Sequence, residues 1–241
     1  MINNKLKDNI LAVICARGNS KGLKNKNLIS LNGKPLIYYA INKVVKNNLT
    51  YRCLSTDNEN IIDISKKYGL KSFFKRSKKL STASVSKLDV WKNALDNSEK
   101  YYNKKFKFIL DVEVTNPLTT PIDLANFLKR FNKIKNRFDG MFCVRESWKN
   151  PYFNILIKKK NKFKVVKDLK KKIFSRQLAP KTYDHIAALY IFKSSYIRKT
   201  KYLLDGNLAP YKLHLLKSID IDNREDFDLV KIIHKNRYVK L

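Results

Sequence analysis

Cysteine, histidine and acidic residues are scarce in this chain, and each scarcity removes a class of chemistry. Three cysteines, Cys15, Cys53 and Cys143, occur in 241 residues, each inside a strand-like apolar run. An odd, widely separated set argues against a disulfide framework or a zinc site and reads as three buried small hydrophobes. The three histidines, His185, His214 and His234, are equally scattered and suggest no metal-ligand cluster. No apolar run nears the roughly 20 residues that cross a bilayer. The polar start, MINNKLKDN, leads into no signal-peptide cleavage pattern. The expectation is a cytoplasmic protein with no membrane partner. Internal repeats and disordered linkers are absent as well.

The shortage of acids, 20 against 52 basic residues, leaves a formal charge of +32. Taken alone, that charge suggests a nucleic acid or an anionic surface as partner. However, 42 of the 52 are lysines, spread along the whole chain rather than striping one helix. This is the profile of an AT-rich genome using lysine wherever a charged surface residue will serve. The expectation is no specific nucleic-acid partner, only weak salt-sensitive binding.

What is present begins at residues 10–36. The apolar run Ile10–Ala16 reads as a strand buried on both faces. It empties into Arg17-Gly18-Asn19-Ser20-Lys21-Gly22, then Lys24 and Lys26. Glycines let a backbone turn tightly against a ligand. Ser20 and the free amides are donors, while Arg17, Lys21 and Lys26 bring positive charge. The loop is neither a P-loop, since Leu23 follows Gly22, nor a dinucleotide fingerprint, since its glycines are spaced GxxxG. A phosphate site and a solvated basic turn both remain open on these residues alone.

Strand and helix signals then alternate. Helical stretches are expected at Lys34–Asn47, Asn58–Tyr68, Ser86–Glu99, Pro121–Lys135 and Asn223–His234. Strands are expected at Tyr51–Ser55, Leu70–Phe74, Phe106–Val112, Asp139–Glu146 and Ala187–Phe192. Strict rotation implies an α/β fold with a parallel sheet covered on both faces, where ligands sit beyond the strands' carboxyl ends. Arg17–Lys26, Ser55–Asp57 and Glu113–Asn116 all follow strands. Between about Asn150 and Pro180 the rhythm breaks, and Pro151–Ile157 with Lys162–Val166 predicts an inserted antiparallel hairpin, a feature often used for oligomerisation. At 241 residues one large domain, or one domain with an insertion, is expected.

The second informative stretch is Lys217-Ser218-Ile219-Asp220-Ile221-Asp222-Asn223. Successive strand side chains alternate faces, so Asp220 and Asp222 point the same way and can reach one cation. Oxygen ligands together with phosphate suit Mg²⁺. The plainer possibility is that Asp222 caps the last helix.

Together these stretches resemble the acylneuraminate cytidylyltransferases, the CMP-sialic acid synthetase family. Its ARGGSKGxxxKN loop is matched by Ala16–Gly22 with Lys26-Asn27, and its GKPLI by Gly33–Ile37. Its STD is Ser55-Thr56-Asp57, and its final DIDxxxDF runs from Asp220 to Phe227. Lys149–Asn154 and Arg176-Gln177 look most like the legionaminic-acid branch. The resemblance covers about residues 10–235. It implies a Rossmann-like nucleotide-diphospho-sugar transferase fold with a mostly parallel sheet covered by helices on both faces, a single domain over 1–241, an inserted β-hairpin dimerisation and sugar-side element at 148–185, and a homodimer. It also implies transfer of CMP from CTP to the anomeric hydroxyl of a nonulosonic acid, with pyrophosphate released.

By the same resemblance, Arg17, Gly18, Ser20, Lys21, Lys26 and Asn27 hold the nucleotide, with Arg76 near the cytosine. Asp220 and Asp222 carry Mg²⁺, and with Arg17 and Lys21 they form the catalytic set. Glu113, Thr115, Arg176, Gln177 and Tyr183 belong to the sugar. The departures fall on the sugar side. Thr119 stands where the family motif has arginine, Ala83 where it has aspartate, Leu178 where RQD has aspartate, and Ile186 where a polar sugar contact is usual. Two alternatives follow: a nucleotide-binding homologue impaired in turnover, or a cytidylyltransferase for another ulosonic acid such as Kdo.

Overall fold

The computed structural model describes residues 4–20, 22–169, 173–236 and 238. In chain order its elements are α1 (Asn4–Lys7), β1 (Ile10–Cys15), β2 (Ser30–Leu31), β3 (Lys34–Pro35), α2 (Leu36–Lys46), β4 (Arg52–Ser55), α3 (Glu59–Lys67), α4 (Lys87–Tyr102) and β5 (Phe108–Val112). There follow α5 (Pro121–Ile134), β6 (Gly140–Glu146), β7 (Leu156–Lys159), β8 (Lys162–Val165), β9 (Tyr183–Lys193), α6 (Ser194–Lys199), β10 (Leu208–Lys212) and α7 (Arg224–Lys235).

The central sheet has the order β4-β1-β5-β9-β6-β10. In β1, Ile10, Ala12 and Ile14 enter one apolar cluster with Leu36, Ile37, Phe127 and Val230, from α2, α5 and α7. Leu11 and Val13 enter a second with Trp91, Leu95 and Ile197, from α4 and α6. The pleat therefore divides the run between two helical layers, as expected of a strand buried on both faces. Local chemistry sets the helix starts. Asn58 and Ser86 accept hydrogen bonds from Ile61 N and Asp89 N, and Gly69 sits at φ 85° just past α3. Thr120 and Asp123 form a capping box before α5, with Pro121 in its first turn.

The sheet is mostly parallel, as expected, with β4, β1 and β5 parallel neighbours and β10 parallel to β6; strict rotation of strand and helix breaks at one strand. β9 runs antiparallel to both β5 and β6, so the sheet is mixed. Strand–helix rotation could not reveal this, because β9 is entered from the long excursion after β6 rather than from a crossover helix. Leu70–Phe74 forms no strand. Leu70 alone is buried there, and the Ser72 hydroxyl instead closes a local turn onto Phe74 O at 2.7 Å. The hairpin exists, but later than expected: β7 pairs β8 from Leu156↔Val165 to Lys159↔Lys162. Residues 151–154 form a turn instead, because Asn150 O accepts from Phe153, Asn154 and Ile155. β10 was not expected. Pro210 masks it, a residue tolerated here because β10 is an edge strand.

The α5 capping box yields a direct test. Thr120→Ala is expected to lower stability by about 1 kcal/mol, the usual value of a lost N-cap, seen in urea unfolding as a lower midpoint with unchanged slope. An unchanged midpoint would remove the cap's role.

Candidate active site

The sheet's carboxyl edge gathers the loop after β1, the loop after β4, the turn after β5 and the segment before α7. The backbone amide of Gly18 donates to Asp57 Oδ1 at 2.9 Å, and a Cβ on Gly18 would come within 2.8 Å of the Asn58 side chain. Asn27, buried, donates from Nδ2 to Arg17 O at 2.8 Å. These two bonds hold the basic loop open against β1. Arg17 reaches Thr82 O with Nη1 at 3.2 Å. Arg76 is buried beside the same loop. Its N–H donates to Thr56 O, its Nε to Ser81 Oγ, and its Nη2 lies 3.9 Å from Asp57 Oδ1. Lys21 lies outside the described residues.

The two ends of the chain meet here. Lys26 Nζ donates to Ile221 O at 2.7 Å and lies 3.2 Å from Asp222 Oδ1. Gly22 packs so closely that a Cβ on it would sit 2.1 Å from Asp222 O. A cavity of about 230 Å³ results, lined by Cys15, Arg17, Ser20, Gly22, Lys26, Asn27, Thr115 and Asp222. Cations and hydroxyl donors thus converge on one small space at the end of a buried strand, the chemistry that holds phosphate.

Residues 219–222 are not a strand. They run extended between a 3₁₀ turn at Leu215–Ser218 and α7, anchored where Ile221 N donates to Thr115 O at 2.9 Å. Asp222 is not the helix cap either, since Asn223 and Asp226 form that box. The Asp222 side chain is 75% exposed, so beside its ion pair with Lys26 it is open to a ligand from solvent. Asp220 is half-buried, and burial together with the Asp222 charge pushes its carboxyl above the ordinary aspartate range. Thr115, Lys26 and Lys87 pull it partly back. Its Oδ1 is buried without a hydrogen-bond partner among the described residues. An orphaned carboxylate oxygen beside a second aspartate fits a hard divalent cation. No group of three or more acidic, histidine or cysteine ligands forms among the described residues, so phosphate and water oxygens would complete such a shell.

Lys87 and Asp111 belong to the site although the sequence reading chose neither. The Lys87 ammonium lies 2.8 Å from Asp111 Oδ2, contacts Glu113 Oε1, and sits 4.9 Å above the Tyr190 ring. Lys87 begins α4 just after its Ser86 cap, which is the one local signal that could have found it. Arg176, Gln177 and Tyr183 are not brought to the cradle. Arg176 donates to Ser147 O at 2.8 Å, and with Gln177 it lines a separate cavity of about 400 Å³ beside Asn150 and Thr182. Tyr183 is exposed on β9. Two of the departures are core residues here: Ile186 packs in the apolar cluster, and Thr119 is buried with its hydroxyl engaged.

A mixed α/β sheet with a basic glycine loop and a paired-aspartate segment at its carboxyl edge defines a nucleotidyltransferase of Rossmann-like fold. The chain belongs to the cytidylyltransferase family, whose model matches residues 11–240. It is 33% identical over 230 residues to post-translational flagellin modification protein B of Campylobacter coli, covering 95% of this chain and 96% of that one. It is also 33% identical to the CMP-N,N′-diacetyllegionaminic acid synthase of Campylobacter jejuni, over 93% and 94% of the two chains. Among solved structures, a CMP:2-keto-3-deoxy-manno-octonic acid synthetase complexed with CTP superposes with a TM-score of 0.67 at 12% identity, over 95% of this chain and 99% of that one. That likeness concerns the fold alone.

Gly22→Ala tests the cradle, because its Cβ must displace the Asp222 carbonyl. Calorimetry should show CTP binding weakened about tenfold or more, equivalent to about 1.4 kcal/mol, together with a lower melting temperature, since the atom displaced is backbone. Unaltered affinity would mean that the 22–222 contact does not shape the nucleotide site.

Proposed function

We propose that this protein transfers CMP from CTP to the anomeric hydroxyl of a nonulosonic acid of the legionaminic or sialic type and releases pyrophosphate. The observation that carries the reading is the meeting of Lys26 with Asp222 and the orphaned Asp220 at the mouth of the basic loop. The names of the relatives support the substrate class: a CMP-N,N′-diacetyllegionaminic acid synthase, and a pseudaminic acid cytidylyltransferase 28% identical over 93% of this chain.

In this reading Arg17, Ser20, Lys21 and Lys26 hold the triphosphate, with Gly18 allowing close approach and Asn27 fixing the loop. Arg76 shapes the nucleoside side through Thr56 and Asp57. Asp220 and Asp222 hold Mg²⁺, which when bound neutralises phosphate oxygens and favours ionisation of the attacking hydroxyl. The sugar oxygen forms a bond to the α-phosphorus, the bond from that phosphorus to the pyrophosphate oxygen breaks, and the hydroxyl proton passes to water. The cations' task is to hold the phosphates in line and stabilise the charge that develops. Glu113 and Thr115 lie next to that point and would meet the sugar first.

Arg176, Gln177 and Tyr183 serve the sugar from the 148–185 element, which in a homodimer lies against a second copy. Leu156, Ile157 and Phe163 of the hairpin are exposed large apolar side chains, and such a surface suits burial in an interface. The whole of 1–241 is then one catalytic domain. No helix among the described residues is long and apolar enough to cross a membrane.

Incubation with CTP and a panel of nonulosonic acids should release pyrophosphate, stop on chelation and resume on adding Mg²⁺. Asp222→Asn should lower kcat by about 100-fold or more, as removal of a charge-stabilising group commonly does. CTP–Mg²⁺ binding without product from any nonulosonic acid would favour the impaired homologue, and turnover with Kdo alone would change the acceptor. Sedimentation of a monomer at micromolar concentration would refute the dimer.

A further inference from the structure

Lys43 lies in the middle of α2, on the face that also buries Leu36, Ile37, Ala40, Ile41 and Val44. It is 1% exposed, in a chain whose other lysines are largely solvated. Placing an ammonium in an apolar layer costs several kcal/mol unless specific partners repay it. Burial brings its pKa down to about 7. A residue held there against such a cost calls for a reason beyond packing.

Its partners supply one. Lys43 Nζ donates to Thr119 Oγ1 at 2.7 Å and to Asn116 O at 3.0 Å, and the Thr119 hydroxyl donates to the same carbonyl. These two acceptors match the two N–H groups that even the neutral amine retains. Asn116 is fully buried and faces the other way with its amide: Nδ2 donates to Lys217 O and to Ile219 O, each at 3.0 Å. One residue before it, Thr115 O receives Ile221 N, and the Thr115 side chain meets Asp220. A continuous series of hydrogen bonds therefore runs from the core of α2, through the turn after β5, to the backbone carrying Asp220 and Asp222. Lys43 touches neither aspartate.

We propose that Lys43 is a positioning residue for the cation site: by fixing the Asn116 peptide it sets where the 219–222 segment holds its two carboxylates. This rests on the reading of Asp220 and Asp222 as the Mg²⁺ ligands. Groups bonded directly to metal ligands commonly change metal affinity by about 10- to 100-fold when removed; Lys43 acts one step further back, through Asn116, so a several-fold effect is expected. A purely structural lysine would alter melting but leave metal affinity in the folded protein untouched.

The test compares wild type with Lys43→Met and with Lys43→Met/Thr119→Val. The double variant removes both polar side chains together, which limits the penalty of leaving one unsatisfied. For each protein that melts cooperatively, calorimetry measures CTP affinity without metal and then the Mg²⁺ concentration giving half-maximal tightening. The expected result is a Mg²⁺ requirement raised about 3- to 10-fold in either folded variant, at or below the lower end for groups that bond a metal ligand directly, with metal-free CTP affinity within about twofold of wild type. A Mg²⁺ requirement equal to wild type in a folded variant would overturn the proposal. So would an equal loss of metal-free CTP affinity, which would mean general disorder of the site. Absence of any Mg²⁺ effect in wild type would instead overturn the reading of Asp220 and Asp222 themselves, and the role of Lys43 with it.

Discussion

Everything at this site depends on one docking: the segment at 217–222 lies on the turn at Thr115–Asn116, about a hundred residues earlier in the chain. The buried Asn116 amide binds two backbone carbonyls of the segment, and Thr115 O takes the amide of Ile221. Ile221, wholly buried, supplies the apolar part. Without this contact Lys26 has no Asp222 to face, Gly22 has no reason to be glycine, and Asp220 returns to solvent. Lys217 reinforces the docking from the side, with Nζ 2.8 and 2.7 Å from the two oxygens of Asp123.

The charge of +32 acquires a different meaning in three dimensions. Most lysines are solvated, as their even spread suggested, but a few are placed. Lys26 faces Asp222, Lys87 neutralises Asp111 and Glu113, Lys217 clamps Asp123, and Lys43 is buried. Each makes a contact that a random surface lysine would not, because each lies at the carboxyl edge or beneath it. Composition averages over such residues and could not separate them from the rest.

Much of the fold was legible. Apolar runs flanked by caps and glycines marked β1, α2, α3, α4, α5 and α7 to within a few residues, since those signals are local. What failed was non-local. The direction of β9 depends on how the 147–182 excursion re-enters the sheet, and β10 survives with Pro210 only because nothing pairs its far side. Leu70–Phe74 had a strand's composition but no neighbour to pair with. At the candidate site, residue type and motif singled out Arg17, Ser20, Lys26, Asn27, Asp220 and Asp222, which the fold brings to one edge of the sheet. Lys87 and Lys43 were not, because an isolated lysine in a lysine-rich chain carries no signal. Two apparent losses on the sugar side also changed character: Ile186 and Thr119 are parts of the interior, and Thr119 has its own cationic partner.

By itself the sequence determined the family, the alternating architecture, the basic glycine loop and the pair of aspartates. These rest on short-range order: which residue follows which, and at what spacing. Only the tertiary structure decided that Asp222 faces Lys26 rather than capping the last helix, that Asp220 keeps an unsatisfied oxygen, and that Arg76 reaches the glycine loop through Asp57. It also decided that a buried lysine in the second helix stands behind the aspartates. The reason is physical. Burial, orphaned polar atoms and pKa shifts arise from groups far apart in the chain brought within a few ångströms, and no local pattern specifies that distance.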